Sequence, residues 1–274
     1  MINPYYLISL SGAYDSQDFW QKNRSESSVE NLLEGTSNSS ENLSKRESTQ
    51  SCVRIDCSDV SGSLYFCSDE AREELTKRIE KVSVNALHFI DSGDYHYLSL
   101  LFLQKINQPF TLLLFDHHSD CMESAFGGGL LTCGSWVLRS LSELPNLKKA
   151  VLVGPADEDG TGEILKSDSR ILWVTEEEFE RKREELYKEL TSSPVYISFD
   201  KDVLRKEEAL TDWSQGTMSV DTILDFLAEA QHTGAVFLGM DVCGEQKVGG
   251  EAQTNSDTNW KILKFSEKLL TGCL

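Results

Sequence analysis

Short apolar runs alternate with amphipathic segments along most of the chain. Runs with the length of buried strands occupy residues 86–90, 111–115, 150–153, 171–174, 195–199 and 235–240. Helical spacing of apolar residues recurs over residues 97–105, 130–144, 175–190, 221–231 and 257–270. Because strands that alternate with helices form parallel sheets covered on both faces, this order predicts an α/β fold, a three-layer sandwich with a mostly parallel central sheet.

The first eighty residues have a weaker pattern. Residues 5–10 predict a first strand, residues 62–67 a short strand or hairpin arm, and residues 69–82 a helix. Residues 21–51 are rich in Ser, Asn and Glu and carry almost no apolar pattern, which indicates a surface insertion. Since neither a repeat nor a linker is found, we expect a single domain over residues 1–274 with an insertion at about 21–51.

The apolar run at residues 111–115 ends abruptly in polar residues. Asp116, His118 and Asp120 share one side of an extended chain, and His117 points the other way. Convergence of two carboxylates and an imidazole is costly unless a cation lies among them. The run therefore predicts a metal site, and the alternative is an acidic loop with a structural histidine.

Other predicted strands also end in potential ligands. His96 follows the strand at 86–90, Asp200 and Asp202 follow the one at 195–199, and Asp241 with Glu245 follows the last. Parallel strands bring these ends to one edge of the sheet. The combined set suits two ions about 3.5 Å apart with bridging carboxylates. Its many oxygens and two imidazoles favour Mn²⁺ over Zn²⁺, with Fe, Co or Ni also compatible.

The net charge and the cysteines limit the kinds of partner and the compartment that we expect. A formal net charge of −19 argues against nucleic acid and disfavours anionic membranes, but it suits cationic substrates and metal ions. The seven cysteines include no CxxC pair, and the N-terminus has no basic-then-apolar signal segment. No apolar run has the length of a membrane span. We therefore expect a cytoplasmic protein with reduced thiols.

The strand-end motifs resemble those of the ureohydrolases, which include arginases, agmatinases and formimidoylglutamases. Asp116-His117-His118-Ser119-Asp120 resembles their Asp-Ala-His-x-Asp motif, and Ser198-Phe199-Asp200-Lys201-Asp202 resembles Ser-x-Asp-x-Asp. Ser92-Gly93-Asp94-Tyr95-His96 looks like Gly-Gly-Asp-His with one residue inserted, and Gly239-Met240-Asp241 resembles Gly-Leu-Asp. The resemblance covers residues 84–274 and not the first eighty or so.

The resemblance implies an arginase/deacetylase-like fold and two Mn²⁺ ions per chain. The implied ligands are His96 and Asp120 on one ion, His118 and Asp202 on the other, and Asp116 and Asp200 bridging both. A hydroxide shared by the ions would attack an amidine or guanidinium carbon, with Asp120 as general acid and base. Asp241 or Glu245 would face the cationic substrate. The products would be urea or formamide and an amine, and a homo-oligomer is also implied.

The match to the family is incomplete at four places. Lys201 lies between the paired aspartates, and the Asp-Pro that commonly follows them is missing. Cys133 stands where arginases have a proton-shuttling histidine, so it is either a weak acid/base substitute or a structural cysteine. Glu245 comes one residue late, after Gly244.

The leading hypothesis is therefore a dinuclear-manganese hydrolase that cleaves a C–N bond of a linear amidine or guanidine. Its substrate would be a small cationic or amidine molecule. One alternative is a deacetylase of related fold, which would use a single Zn²⁺ to hydrolyse an amide. Another is a metal-binding homologue that has lost catalysis. Counting the bound ions distinguishes the dinuclear-manganese hydrolase from the deacetylase.

Overall fold

An eight-stranded parallel sheet lies at the centre of the protein. The computed structural model describes residues 4–21, 51–122, 130–156, 165, 167–247 and 252–273. The strands are β1 (Tyr5–Ser9), β2 (Cys52–Asp56), β3 (Phe66–Cys67), β4 (Leu87–Phe89), β5 (Phe110–Phe115), β6 (Leu131–Thr132), β7 (Leu147–Val153), β8 (Ile171–Val174), β9 (Val195–Asp200) and β10 (Phe237–Cys243). The main sheet has the order β2-β1-β4-β10-β9-β5-β7-β8, and β3 and β6 form a separate antiparallel pair.

Helices cover both faces of this sheet. They are α1 (Asp69–Arg78), α2 (Leu98–Leu103), α3 (Trp136–Glu143), α4 (Glu176–Leu190), α5 (Val220–His232) and α6 (Ala252–Leu269). One apolar core joins the sheet to α1, α2 and α3, and a second core joins it to α4, α5 and α6. The predicted three-layer α/β sandwich is confirmed.

Strand β5 shows why the sheet is buried on both faces. Its six residues are all buried. Leu112 and Leu114 pack into the first core, while Leu113 and Phe115 pack into the second. This alternation follows from the two-residue period of a strand. A strand buried on both faces needs a continuous apolar run, which is the pattern in the sequence.

Four strands with polar ends are neighbours in the sheet. They lie in the order β4-β10-β9-β5, and each pair is parallel. Their carboxyl ends consequently meet at one edge. This order brings together segments that are far apart in the sequence.

Several predicted elements differ from the structure. The helix expected over residues 130–144 is wrong in its first part, because Leu131 and Thr132 pair with β3 and the helix begins only at Trp136. Strand β10 extends through Asp241 to Cys243. The final helix begins at Ala252 rather than at residue 257.

Strand β2 was not predicted. It pairs with β1 at the edge of the sheet and exposes much of its surface, so its sequence lacks the apolar run of a central strand. The predicted insertion at about 21–51 lies outside the described residues except at its two ends. Among the described helices, none is long and apolar enough to cross a membrane.

His88 is a core residue of the fold. The side chain is fully buried on β4, stacked between Tyr6 and Phe102 with ring centroids 5.7 and 4.0 Å away. Its Nε2 lies 2.8 Å from the Ser83 carbonyl oxygen. Burial lowers the pKa of His88 to about 4. In the unfolded chain this histidine binds a proton near pH 6.5. In the folded chain it binds the proton only near pH 4.

This burial predicts a pH-dependent loss of stability. Between about pH 6.5 and pH 4 the unfolded state holds more protons, so stability falls as the pH falls. The His88→Gln variant should lack about 2 to 3 kcal/mol of the decrease seen between about pH 7 and pH 4.5. Urea unfolding of wild type and variant at both pH values measures the difference. The exposed His232→Gln serves as the control, and parallel pH dependences for wild type and His88→Gln would contradict the prediction.

Candidate metal centre

A cavity of about 530 Å³ opens at the edge where β4, β5, β9 and β10 end. Its lining includes all six predicted metal ligands, hereafter the six-residue cluster: His96, Asp116, His118, Asp120, Asp200 and Asp202. The side chains of five of them are almost completely buried, and His118 is partly exposed. The prediction that distant strand ends converge here is confirmed by the fold.

His96 lies at the centre of three carboxylates. Its Nδ1 is 2.9 Å from an oxygen of Asp120, 3.2 Å from Asp116 and 3.4 Å from Asp200. A histidine nitrogen that faces three carboxylate oxygens is expected where the imidazole and the carboxylates bind the same metal ion.

The opposite nitrogen of His96 is held by a polar chain beneath the cluster. His96 Nε2 is 2.9 Å from Ser198 Oγ, which donates to Asp241 Oδ1 at 2.7 Å. Ser99 donates to the same Asp241 oxygen at 3.0 Å. Since Ser198 uses its proton on Asp241, it accepts the Nε2 proton of His96. This tautomer leaves the Nδ1 lone pair directed at the cluster, as second-shell hydrogen bonds do in metal sites.

His118 forms the other half of the cluster. Its Nδ1 is 2.8 Å from Asp202 Oδ2 and 3.5 Å from Asp116 Oδ1, and its Nε2 is 2.9 Å from Ser214 Oγ. Asp202 also accepts a hydrogen bond from the backbone N–H of His117 at 2.9 Å. Asp116 thus lies between the two histidines and contacts both.

The ligand atoms form overlapping groups. His96, Asp116 and Asp120 place one ligand atom each within 4.8 Å of one another, and so do Asp116, His118 and Asp202. The two groups share Asp116. A carboxylate shared between two ligand groups is how protein sites bridge a pair of ions.

The protonation behaviour of the cluster also fits a bound cation. Burial and the neighbouring carboxylates raise the pKa of Asp116 and Asp200, and raise that of Asp202 to about 6. Although burial opposes it, hydrogen bonds to Asp116 and Asp202 raise the pKa of His118 to about 11. Asp116 Oδ2 is buried without a hydrogen-bond partner. A divalent ion would neutralise the crowded carboxylates and would also give the unpartnered buried oxygen a ligand bond.

The Asp120 carboxylate is held in position by a hydrogen bond from Trp136. Trp136 Nε1 donates to Asp120 Oδ2 at 2.6 Å, from the first turn of α3. The backbone at Asp120 has φ of 50°, a conformation that aspartate tolerates better than most residues. The Asp120 carboxylate thereby contacts His96, which follows β4, three positions from β5 in the sheet.

Comparison with known proteins identifies the family. The model of the arginase family matches residues 19–243. The chain belongs to the arginase family. The match begins well before residue 84, so the prediction that the resemblance excludes the first eighty residues is wrong. Strand β2 lies within the matched residues and belongs to the same sheet as the later strands.

One relative in sequence is a Thermotoga maritima protein described only as uncharacterized. It is 33% identical over 185 residues, which make up 66% of this chain and 68% of the relative. A relative without a described function adds neither a family nor a substrate.

Solved structures of this family share the fold. Formimidoylglutamase from Bacillus subtilis has a TM-score of 0.66 at 14% identity over 98% of this chain and 86% of its own. A crystal structure of Trypanosoma cruzi formiminoglutamase with Mn²⁺ has a TM-score of 0.66 at 16% identity over 98% and 94%. Agmatine ureohydrolase from Thermoplasma volcanium has a TM-score of 0.66 at 14% identity over 99% and 90%. At these identities the comparison shows the arginase-like fold alone.

Glu245 does not lie in the cavity where a substrate-binding residue was expected. The side chain does not line the cavity and is 1% exposed. Its carboxylate accepts hydrogen bonds from Lys201 Nζ, Asn255, Asn259 and Gln17. The prediction that Glu245 faces the substrate is therefore contradicted, because the buried ammonium of Lys201 already neutralises it.

Gly244 explains the displacement of Glu245. Its φ is 85°, and a Cβ there would lie 2.4 Å from Asp200 Oδ1 and 2.8 Å from the Lys201 backbone nitrogen. No side chain fits at this position without moving a residue of the six-residue cluster. The next acidic residue is Glu245, which is buried and does not line the cavity.

Cys133 lines the cavity but is a poor acid or base there. Burial and the charge of Asp120 raise the pKa of its thiol to about 12. Very little thiolate exists at neutral pH under those conditions. Its role as a substitute for the proton-shuttling histidine stays a prediction, and this pKa favours the alternative of a structural cysteine.

Three residues at the site were not predicted. Cys243, Ser198 and Trp136 all contact members of the six-residue cluster. A signal exists for two of them, because Ser198 precedes Asp200 by two positions and Cys243 follows Asp241 by two, which puts each on the same side of its strand. For Trp136 the sequence carries no such signal. His117, predicted to point away, lies at the cavity with its Nδ1 3.7 Å from Glu176 and belongs to none of the ligand groups.

Proposed function

We propose that this protein is a dinuclear metal-dependent hydrolase that cleaves a C–N bond of a linear amidine or guanidine. The observation that carries the proposal is the six-residue cluster, in which Asp116 is shared by two ligand groups in a cavity open to a small molecule. The family of the chain and the fold of its neighbours support the same reaction class.

The donor set favours two Mn²⁺ ions over one Zn²⁺. His96 and His118 are separate imidazoles in separate groups, each accompanied by its own carboxylates. A site for a single zinc ion needs three protein ligands and keeps an open position. Four carboxylates with two imidazoles exceed that need, and their hard oxygens suit Mn²⁺. We accordingly place the zinc deacetylase second.

Each residue of the site would have a distinct role in hydrolysis. When bound, the two ions would supply Lewis acidity and make a water molecule acidic enough to be a nucleophile near neutral pH. Asp116 and Asp200 would neutralise the ions between the two histidines. Asp120, held by the Trp136 N–H, would accept a proton from the nucleophile and return it to the leaving amine.

The cavity wall indicates a small cationic or amidine substrate. Aromatic and apolar side chains surround the opening: Tyr65, Phe66, Met122, Leu130 and Trp213. Trp213 lies with its ring centroid 5.7 Å from that of His118. Aromatic faces attract planar cations. Among the described residues, no lysine or arginine lines the cavity, so its walls do not repel a guanidinium group.

We also propose that the protein works in the cytoplasm and forms a homo-oligomer, with no nucleic acid or membrane partner. All seven cysteines are free thiols, which is typical of a reducing compartment. The net charge of −19 opposes association with phosphate-rich surfaces.

The test is hydrolysis by the manganese-loaded protein. Arginine, agmatine, guanidinobutyrate, formiminoglutamate and guanidine are offered in turn, and urea, formamide, ammonia and amine are assayed. At least one substrate should be turned over. Two bound Mn²⁺ with no release from any compound would instead support the inactive metal-binding homologue. One tightly bound Zn²⁺ with amide hydrolysis would support the deacetylase.

Asp120→Asn should reduce turnover of the best substrate strongly. The amide cannot take up the proton that the carboxylate accepts, and general acid–base groups contribute about 100-fold or more to rate. Steady-state kinetics at saturating Mn²⁺ measures kcat. Asp225→Asn, an exposed carboxylate on α5, is the matched control. A kcat for Asp120→Asn within a few-fold of wild type would remove Asp120 from the mechanism.

A further inference from the structure

We propose that Cys243 is a sulfur ligand of the ion held by His96. The proposal depends on the proposed function only in requiring that the site holds a metal ion. Cys243 is the last residue of β10, where its backbone pairs with Asp200 of β9. The side chain is completely buried, and its Sγ lies 2.9 Å from Asp200 Oδ2.

The thiol belongs to a ligand group of its own. His96, Asp200 and Cys243 place one ligand atom each within 4.8 Å of one another, and all three residues are buried. His96 also belongs to the group with Asp116 and Asp120. An ion bound by His96 and Asp200 therefore has the sulfur within reach.

A second observation at the same place points to an ion. Asp116 Oδ2 is buried without a hydrogen-bond partner, although it lies 3.2 Å from His96 Nδ1. Asp200 Oδ2, which lies 3.4 Å from the same His96 nitrogen, has the weak S–H donor of Cys243. Buried carboxylate oxygens are rarely left with so little compensation. One divalent ion beside His96 would satisfy Asp200 Oδ2 and the sulfur, which form one ligand group with the imidazole, while Asp116 belongs to the neighbouring group that shares His96.

The chemistry of this step is a proton exchange. When the ion binds, the S–H bond breaks, the metal–sulfur bond forms and the proton leaves to solvent. The resulting donors at this ion are nitrogen, oxygen and sulfur, whereas the ion near His118 has nitrogen and oxygen alone. Sulfur is a softer ligand than oxygen and favours Zn²⁺ and Co²⁺. The two positions should therefore differ in metal preference, with the softer ion beside His96.

Cobalt substitution tests the proposal by spectroscopy, without reference to catalysis. Co²⁺ bound by a thiolate gives a sulfur-to-cobalt charge-transfer band in the near ultraviolet, which nitrogen and oxygen ligands do not give. The metal-free protein is titrated with Co²⁺ while the absorption spectrum is recorded. We expect this band in the wild type and in Cys133→Ser, whose thiol lines the same cavity. We expect it to be lost in Cys243→Ser, with the visible cobalt bands retained.

The outcomes separate this proposal from the proposed function. Visible cobalt bands without a charge-transfer band in the wild type would overturn the sulfur ligand and leave the metal centre standing. A band that disappears in Cys133→Ser would also overturn it, whether or not Cys243→Ser folds. Failure of the wild type to bind Co²⁺, Mn²⁺ or Zn²⁺ would overturn both proposals. As a further check, Cys243→Ser should lose more affinity for Zn²⁺ than for Mn²⁺.

Discussion

Asp116→Ala is expected to fold but to lose the pair of metal ions and, with it, hydrolysis. Asp116 contacts both histidines of the six-residue cluster and belongs to both of its central ligand groups. Its removal therefore withdraws a ligand from two ions at once. Mutations that merely support a ligand cost about 10- to 100-fold in metal affinity, so loss of a bridging ligand should cost more than about 100-fold.

The measurement is metal content after dialysis against Mn²⁺, together with a titration of the metal-free protein. Wild type should retain two ions per chain, and Asp116→Ala at most one weakly bound ion. Asp200→Ala should behave in the same way. Asp225→Ala controls for the loss of one negative charge, because Asp225 is exposed on α5. Two tightly held ions in Asp116→Ala would show that the site is elsewhere.

Lys201→Met should destabilise the protein more than any exposed charge substitution. Lys201 and Glu245 are a buried ion pair, 0% and 1% exposed in their side chains. Without the lysine, Glu245 keeps only the amide groups of Gln17, Asn255 and Asn259. A buried carboxylate that loses its cation costs about 3 to 5 kcal/mol. The free energy of unfolding in urea, measured on metal-free protein, should fall by this amount.

A paired substitution distinguishes charge burial from lost packing. Lys201→Met combined with Glu245→Gln removes both charges while the glutamine amide can still bond to its neighbours. Most of the lost stability should then return. Lys261→Met, which breaks the exposed pair with Asp221, is the control and should cost about 1 kcal/mol or less. If the double variant is no more stable than Lys201→Met, the buried charge is not the cause.

Much of the site was predictable because strand geometry is simple. The two-residue period placed Asp116, His118 and Asp120 together, and likewise Asp200 and Asp202, before any contact was known. The parallel arrangement of strands brought both groups to one edge. The topological rule held, but the extended spacing did not persist through the motifs, since β5 ends at Phe115, Asp120 has a φ of 50° and Lys201–Val203 form a 3₁₀ turn.

The remaining features depend on partners that are distant in the chain. The sulfur of Cys243 meets Asp200 through the register of β9 with β10. The family resemblance assigned Glu245 to the substrate, and its burial could not be foreseen because its partner Lys201 lies 44 residues earlier and packing alone joins them. Strand β2 escaped prediction for a different reason, because an edge strand with an exposed face carries little apolar signal.

The position of β10 has a consequence for how the protein is made. It is the last strand of the chain, yet it lies between β4 and β9 in the middle of the sheet. During synthesis, the carboxyl ends of β4 and β9 cannot be held in place until residues 237–243 have left the ribosome and inserted between them. Pairings of such long sequence separation form slowly. The metal centre should therefore mature late, and ion uptake should follow closure of the sheet.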